Sequence, residues 1–183
     1  MTELRSHHVF SRFVRSVEAY LSKKGLNIAL ISIIIFHMWV FINATVHEAG
    51  HVFVARHFGC EAGLSQLLGY IASTGVNCPD DMPVQNWWYI AYAGPLVAFV
   101  FGSYLWFLEP DGYARLGGLV AFLFSTLPNI AFWIPGSDAY KAVNEFGYSW
   151  FNALIIYAVV GSYIAFLVMR EIADKKWEIF KFK

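Results

Sequence analysis

The apolar run from Ile28 to Val46 ends in His47-Glu48-Ala49-Gly50-His51 and resumes as Val52-Phe53-Val54-Ala55. No other feature limits the chain so strongly. A run of this length without Lys, Arg, Asp or Glu reads as a membrane span. An ionisable cluster set into such a run is costly unless something pairs or ligates it. The cluster has the form H-E-x-x-H. On a helix, histidines at i and i+4 face the same way, about one turn apart, so both imidazoles can reach one zinc ion. The glutamate between them falls beside the ion, where it can take a proton from water that the metal has activated. The plainer reading is that His47 and His51 pack between helices with Glu48 paired to one of them. The expense of an unligated ionisable triplet in a membrane weighs against it.

Composition agrees with the membrane reading. Charged residues make up 14% of the chain and hydrophobic residues 58%, against about 25% charged in soluble domains. With 183 residues and zero net charge, the chain is sized for one domain and gives no argument for nucleic acid. The fold class expected is an all-α integral membrane protein with about four transmembrane helices and a short strand-like or re-entrant loop after the first. Cys60 and Cys78 form no C-x-x-C and are too few for a disulfide scaffold; whether they pair depends on the compartment their loop faces. The first 25 residues carry charges throughout and lack an apolar core, so no cleavable signal peptide is expected.

Three regions follow along the chain. Residues 1–25 are basic, with apolar positions at helical spacing, and read as an amphipathic segment on the membrane surface or as a cytosolic tail. Residues 26–170 form the membrane-embedded core. Its first span is helical from Ile28 to Phe58, with Gly59 as the stop. Leu64 to Val76, with interspersed Gly and Ser, predicts a short strand or hairpin before the Cys78–Pro83 turn. The second span runs from Trp87 to Leu108, with Gly94-Pro95 predicting a kink or a helix start inside it. The third runs from Leu116 to Ile134 and stops at Pro135-Gly136; the fourth runs from Phe151 to Met169. Residues 171–183 are a basic tail.

A catalytic zinc normally has three protein ligands and one open position, so the histidine pair needs a third donor. His57 lies about 80° round the helical wheel from His47 at about 100° per residue, which aims it elsewhere. His37 is in register with His51 but about four turns away. Glu61, Asp80, Asp81, Glu109 and Asp111 belong to loops and turns. Asp138 stands out, because Pro135-Gly136 breaks the helix just before it, and a break at membrane depth is tolerated where it lines a cavity. Glu145 remains an alternative.

Three blocks in this order resemble the site-2 protease family of intramembrane zinc metalloproteases. His47-Glu48-Ala49-Gly50-His51 with Ala55 and Gly59 is similar to the family's H-E-x-G-H-x-x-x-A-x-x-x-G run. Ala93-Gly94-Pro95-Leu96 is similar to its A-G-P-L. Asn129 with Pro135-Gly136-Ser137-Asp138 is similar to its N-x-x-P…L-D-G block, although Phe132 stands where the first proline is expected, the spacing to the aspartate is about one residue longer, and Ala139 replaces the glycine. The match spans roughly residues 40 to 142.

The resemblance implies one zinc per chain on His47, His51 and Asp138, Glu48 as general base and then acid, and Asn129 as a donor to the oxyanion or the substrate backbone. The substrate it implies is a transmembrane protein segment, cleaved within the lipid bilayer, with the 64–76 segment pairing edge-on with an unwound strand. The competing class is a membrane zinc-binding protein or a catalytically silent protease-like scaffold, against which the presence of Glu48 argues. Orientation has two indications that disagree. Eleven of the 13 Lys and Arg residues fall on the side of the termini, leaving Arg56 and Lys141 opposite, so the positive-inside rule puts the termini in the cytoplasm and His47 toward the outer face. The resembled family generally places its zinc nearer the cytosol. The charge count is preferred.

Overall fold

The structure is a computed structural model and describes residues 23–67, 71–108 and 112–174. The proposed amphipathic N-terminal segment lies almost wholly outside these residues, as does most of the basic tail. Helix α1 spans Lys23–His57. Residues up to Met38 make one compact unit and Trp39 onward another; the site described below lies in the second.

A hairpin follows, with β1 at Glu61–Leu67 and β2 at Ile71–Asn77. The strands are antiparallel, from Glu61 opposite Asn77 to Leu67 opposite Ile71. Helix α2 spans Val84–Leu108 and continues on both sides of Pro95, so the helix start expected at Gly94-Pro95 is not found. Proline lacks the N–H that would bond the carbonyl of Ala91 one turn earlier.

Helix α3 (Gly112–Val120) leads into a π-helical stretch, Ala121–Thr126, and then into the short helix α4 (Leu127–Ile130). The wider turn is seen in the N–H of Leu127, which bonds back to Phe122. Such inserts are found mostly where a helix is bent to serve a site. Ala131 is extended and ends the helix, earlier than the expected end at Ile134. Helix α5 spans Asp138–Asn144 and α6 spans Trp150–Asp174.

Among the described residues, three helices are long and apolar enough to cross a membrane, over Ala29–His57, Val84–Phe107 and Trp150–Glu171. The expected third span corresponds to the shorter apolar stretch Ala114–Ile130. Its shortness follows from the break at Ala131, which gives up helical length to turn the chain.

The pattern of burial is that of a chain whose outside is lipid. Val159 and Phe166 on α6 and Val100 and Phe107 on α2 are exposed, whereas Asn43, His47, His51, Ser125, Thr126 and Ser137 are buried. Large apolar side chains on the outside, with these polar groups set among the apolar residues inside, depart from the soluble arrangement. Helices α2 and α3 come close enough that a Cβ on Gly118 would stand 2.7 Å from the carbonyl oxygen of Gly102. Small residues at such crossings let backbones touch where the hydrophobic effect supplies no drive. Asn43 joins α1 to α3 by donating to the carbonyls of Trp39 (2.8 Å) and Gly117 (3.2 Å).

Candidate metal centre

The i, i+4 spacing on α1 does what geometry requires: the Nε2 atoms of His47 and His51 lie 3.1 Å apart. Both residues are buried. His51 is oriented by its other nitrogen, with Nδ1 2.6 Å from the carbonyl oxygen of Ile90 on α2. That contact requires Nδ1–H as donor and leaves Nε2 with a free lone pair, the tautomer a metal ligand needs. The two rings face α2 at Gly94. A Cβ there would collide with the His51 ring and stand 2.8 Å from His47 Nε2, and a Cβ on Gly50 would stand 2.7 Å from the Ala93 carbonyl oxygen. Glycine in the A-G-P stretch is therefore a space requirement of the imidazoles.

Asp138 arrives from the other side because the chain breaks before it. Gly136 takes a positive φ of 85°. Ser137 then closes the break at both ends: its hydroxyl donates to Ala131 O (2.9 Å) and accepts from the Tyr140 N–H (3.0 Å), capping α5. Asp138 is thus the first residue of α5, held by the cap. Its Oδ2 lies 3.0 Å from His47 Nε2 and 3.4 Å from His51 Nε2. In the metal-free protein burial pushes the Asp138 carboxyl up, but the His47 and His51 imidazoles beside it outweigh this and hold it at about 2, so it is an anion at neutral pH.

The donor set fits a small divalent cation. One ligand atom from each of His47, His51 and Asp138 lies within 4.8 Å of the others. Four donors about 2.0–2.1 Å from zinc in a tetrahedron stand about 3.3 Å apart. The separations of 3.0, 3.1 and 3.4 Å match that edge. Two nitrogens and one oxygen make a three-ligand set with a fourth position left for water or substrate.

Glu48 and Asn129 line the same cavity of about 540 Å³ as the three donors, together with Thr74, Trp87, Ser125 and Phe146. Glu48 Oε2 accepts a hydrogen bond of 2.6 Å from the Thr74 hydroxyl. Asn129 Nδ2 donates to Ser125 O (3.1 Å), which occupies one of its two N–H groups. The alternative ligand Glu145 lines the cavity but is exposed and stands outside the three-donor group. His37 bonds the Ile33 carbonyl within its own helix (2.8 Å), and His57 is exposed at the end of α1.

Cys60 and Cys78 form a disulfide. It closes the foot of the hairpin, one residue outside the Glu61–Asn77 pair. Sequence reading marked Gly94 and named Ser137 within a block without giving it a role, and it did not single out Thr74. The signal for Ser137 was present: serine three residues before the N–H it caps is an ordinary helix start. Thr74 had none, since strand pairing decides which residue of the hairpin meets α1.

This chain resembles a zinc metalloprotease of Methanocaldococcus jannaschii, with 27% identity over 141 residues, covering 71% of this chain and 40% of that protein. The chain thus spans about two fifths of that relative's length. No family model matches the chain, and no solved structure does. The sequence comparison gives a relation to metalloproteases, and the structure groups His47, His51 and Asp138 so that they could hold a metal ion.

Proposed function

We propose that this protein is an intramembrane zinc metalloprotease of the site-2 type, hydrolysing a peptide bond within or near a transmembrane segment of another protein. The observation that carries the reading is the convergence of His47, His51 and Asp138 in one cavity that Glu48 also lines. That cavity is built from the end of an apolar helix long enough to cross a membrane.

His47, His51 and Asp138 would hold the zinc ion, which would supply Lewis acidity toward the scissile carbonyl and toward water. The chain's own groups do the rest. His51, fixed through Ile90, and Asp138, fixed through the Ser137 cap, keep the donors in place without reorganisation. Glu48 takes a proton from water as its oxygen attacks the carbonyl carbon. The same carboxyl then gives that proton to the amide nitrogen as the C–N bond breaks, leaving a carboxylic acid and an amine, which exchange a proton to become carboxylate and ammonium. Asn129 keeps one N–H for the oxyanion or the substrate backbone. Strands β1 and β2 pair with each other, and their outer edges can take up an unwound substrate strand by backbone bonding.

The Cys60–Cys78 bond supports an orientation with the hairpin on an oxidising side. This agrees with the charge count, whose placement of both termini in the cytoplasm requires the shorter Ala114–Ile130 stretch to serve as a fourth crossing.

The test uses purified full-length protein in lipid with tagged, helix-destabilised transmembrane segments as substrates. The parent cleaves, a chelator stops cleavage, and zinc restores it. Glu48→Gln keeps its zinc and loses activity by about 10²–10⁴-fold or more, the usual cost of losing a general base. Cleavage by Glu48→Gln at the parental rate contradicts the role of Glu48. A zinc-loaded parent inert across the panel favours the silent-scaffold reading instead.

A further inference from the structure

Thr74 lies in β2 opposite Leu64, and its hydroxyl stands 2.6 Å from Glu48 Oε2 and 3.2 Å from the Glu48 main-chain oxygen. An ionised carboxylate only accepts, so the hydroxyl is the donor. It has one proton, and the contact to the charged oxygen is the shorter, in the range of a charge-assisted O–H···O⁻ bond. Glu48 sits on α1, and among the described residues its carboxylate has no other hydrogen bond. A glutamate side chain turns about three bonds, and a general base works only within hydrogen-bond reach of the proton it takes.

We propose that Thr74 is a positioning residue for the general base. It holds Oε2, which fixes the carboxylate plane and leaves Oε1 to exchange the proton. This deepens the protease reading and rests on it. The hairpin delivers Thr74 by register: a slip of one residue would turn the Thr74 side chain to the opposite face of the sheet. The Cys60–Cys78 bond beside the Glu61–Asn77 pair pins that register at its open end. The hairpin then has a role in catalysis separate from any pairing of its edges with substrate.

The experiment compares Thr74→Val, Thr74→Ser and parent, all zinc-loaded and full-length in lipid, on one tagged transmembrane segment that the parent cleaves. Valine keeps the shape and removes the donor. Its kcat falls about 10- to 100-fold, as for other groups that orient a catalytic residue, with KM and zinc content at the parental values. Thr74→Ser restores kcat, because serine keeps the hydroxyl. Parental or raised kcat in Thr74→Val overturns the proposal; a raised value would make the bond a restraint on Glu48. Equal loss in Thr74→Ser and Thr74→Val overturns it as well, since the methyl group would then be what matters.

A readout independent of activity is the thermal unfolding of Thr74→Val, Glu48→Ala and the double variant. The combined shift in Tm is smaller than the sum of the single shifts if the two side chains bond. Additive shifts remove the bond and the proposal with it. Loss of activity in Glu48→Gln together with parental kcat in Thr74→Val rejects Thr74 alone. Parental activity in Glu48→Gln rejects the protease reading of Glu48, and the proposal falls with it.

Discussion

Asp138 Oδ2 stands 3.0 Å from His47 Nε2, although the two residues come from helices separated by the hairpin, α2 and the π-helical stretch. Two devices bring them together. Gly94 clears the space into which the histidine rings project. The break from Ala131 to Ser137 turns the chain so that α5 begins at Asp138. Each makes a prediction of its own.

Gly94→Ala places a methyl group where the His51 ring lies, and the same Cβ would stand 2.8 Å from His47 Nε2. Overpacking of this kind costs about 1–3 kcal/mol, and the rings must move to relieve it. Zinc affinity is expected to fall, together with a lower Tm. Competition with a zinc chelator of known affinity measures the first, and parental affinity in Gly94→Ala would show that the histidines do not occupy that space.

Ser137→Ala removes both the bond to Ala131 O and the cap on Tyr140 N–H. Loss of a cap costs about 0.5–2 kcal/mol, and here it also frees the first residue of α5. Lower stability with weaker zinc binding is the expected pair of results. A stability loss with unchanged zinc affinity would mean that Asp138 is held by other contacts.

The disulfide closes a loop with a sequence separation of 18. On loop length alone such a bond stabilises by about 3 kcal/mol. Reduction, or Cys60→Ser with Cys78→Ser, is expected to lower the Tm and to speed amide exchange in β1 and β2 more than in α2. Equal exchange in the two regions would show that the hairpin does not depend on the bond.

Acid is expected to act on metal-free protein through Asp138. Its carboxyl is held at about 2, below the ordinary 3.8. A group depressed in the folded state binds its proton more weakly there than in the unfolded chain. Its contribution is therefore present above about pH 4 and lost as the pH falls toward 2. Asp138→Asn should flatten that part of the stability profile, measured by thermal unfolding across the same pH range. An unchanged slope would assign the acid sensitivity to other carboxyls.

Much of this was legible in the sequence because it is local. The H-E-x-x-H spacing is a property of one helix, and the two Nε2 atoms do meet. The Pro135-Gly136 break marked Asp138, and the Gly- and Ser-bearing stretch after Gly59 marked the hairpin. What could not be read was set by elements distant in sequence. The pairing of Cys60 with Cys78 needs the hairpin closed, and the bond from Thr74 to Glu48 needs its register. The third apolar stretch was expected to reach Ile134, but Ala131 leaves the helix so that Ser137 can bond back to it. Gly94-Pro95 was expected to mark a kink or a helix start, and the helix runs through it, so no helix begins there.

The most direct test of the account is the metal content of purified full-length protein and its variants, measured after exhaustive dialysis. The account predicts one zinc per chain in the parent and in Glu145→Ala, and none in His47→Ala with His51→Ala or in Asp138→Ala. Zinc retained in Asp138→Ala and lost in Glu145→Ala would move the third ligand to Glu145. A parent without zinc, or one whose zinc survives loss of both histidines, would contradict the metal centre itself.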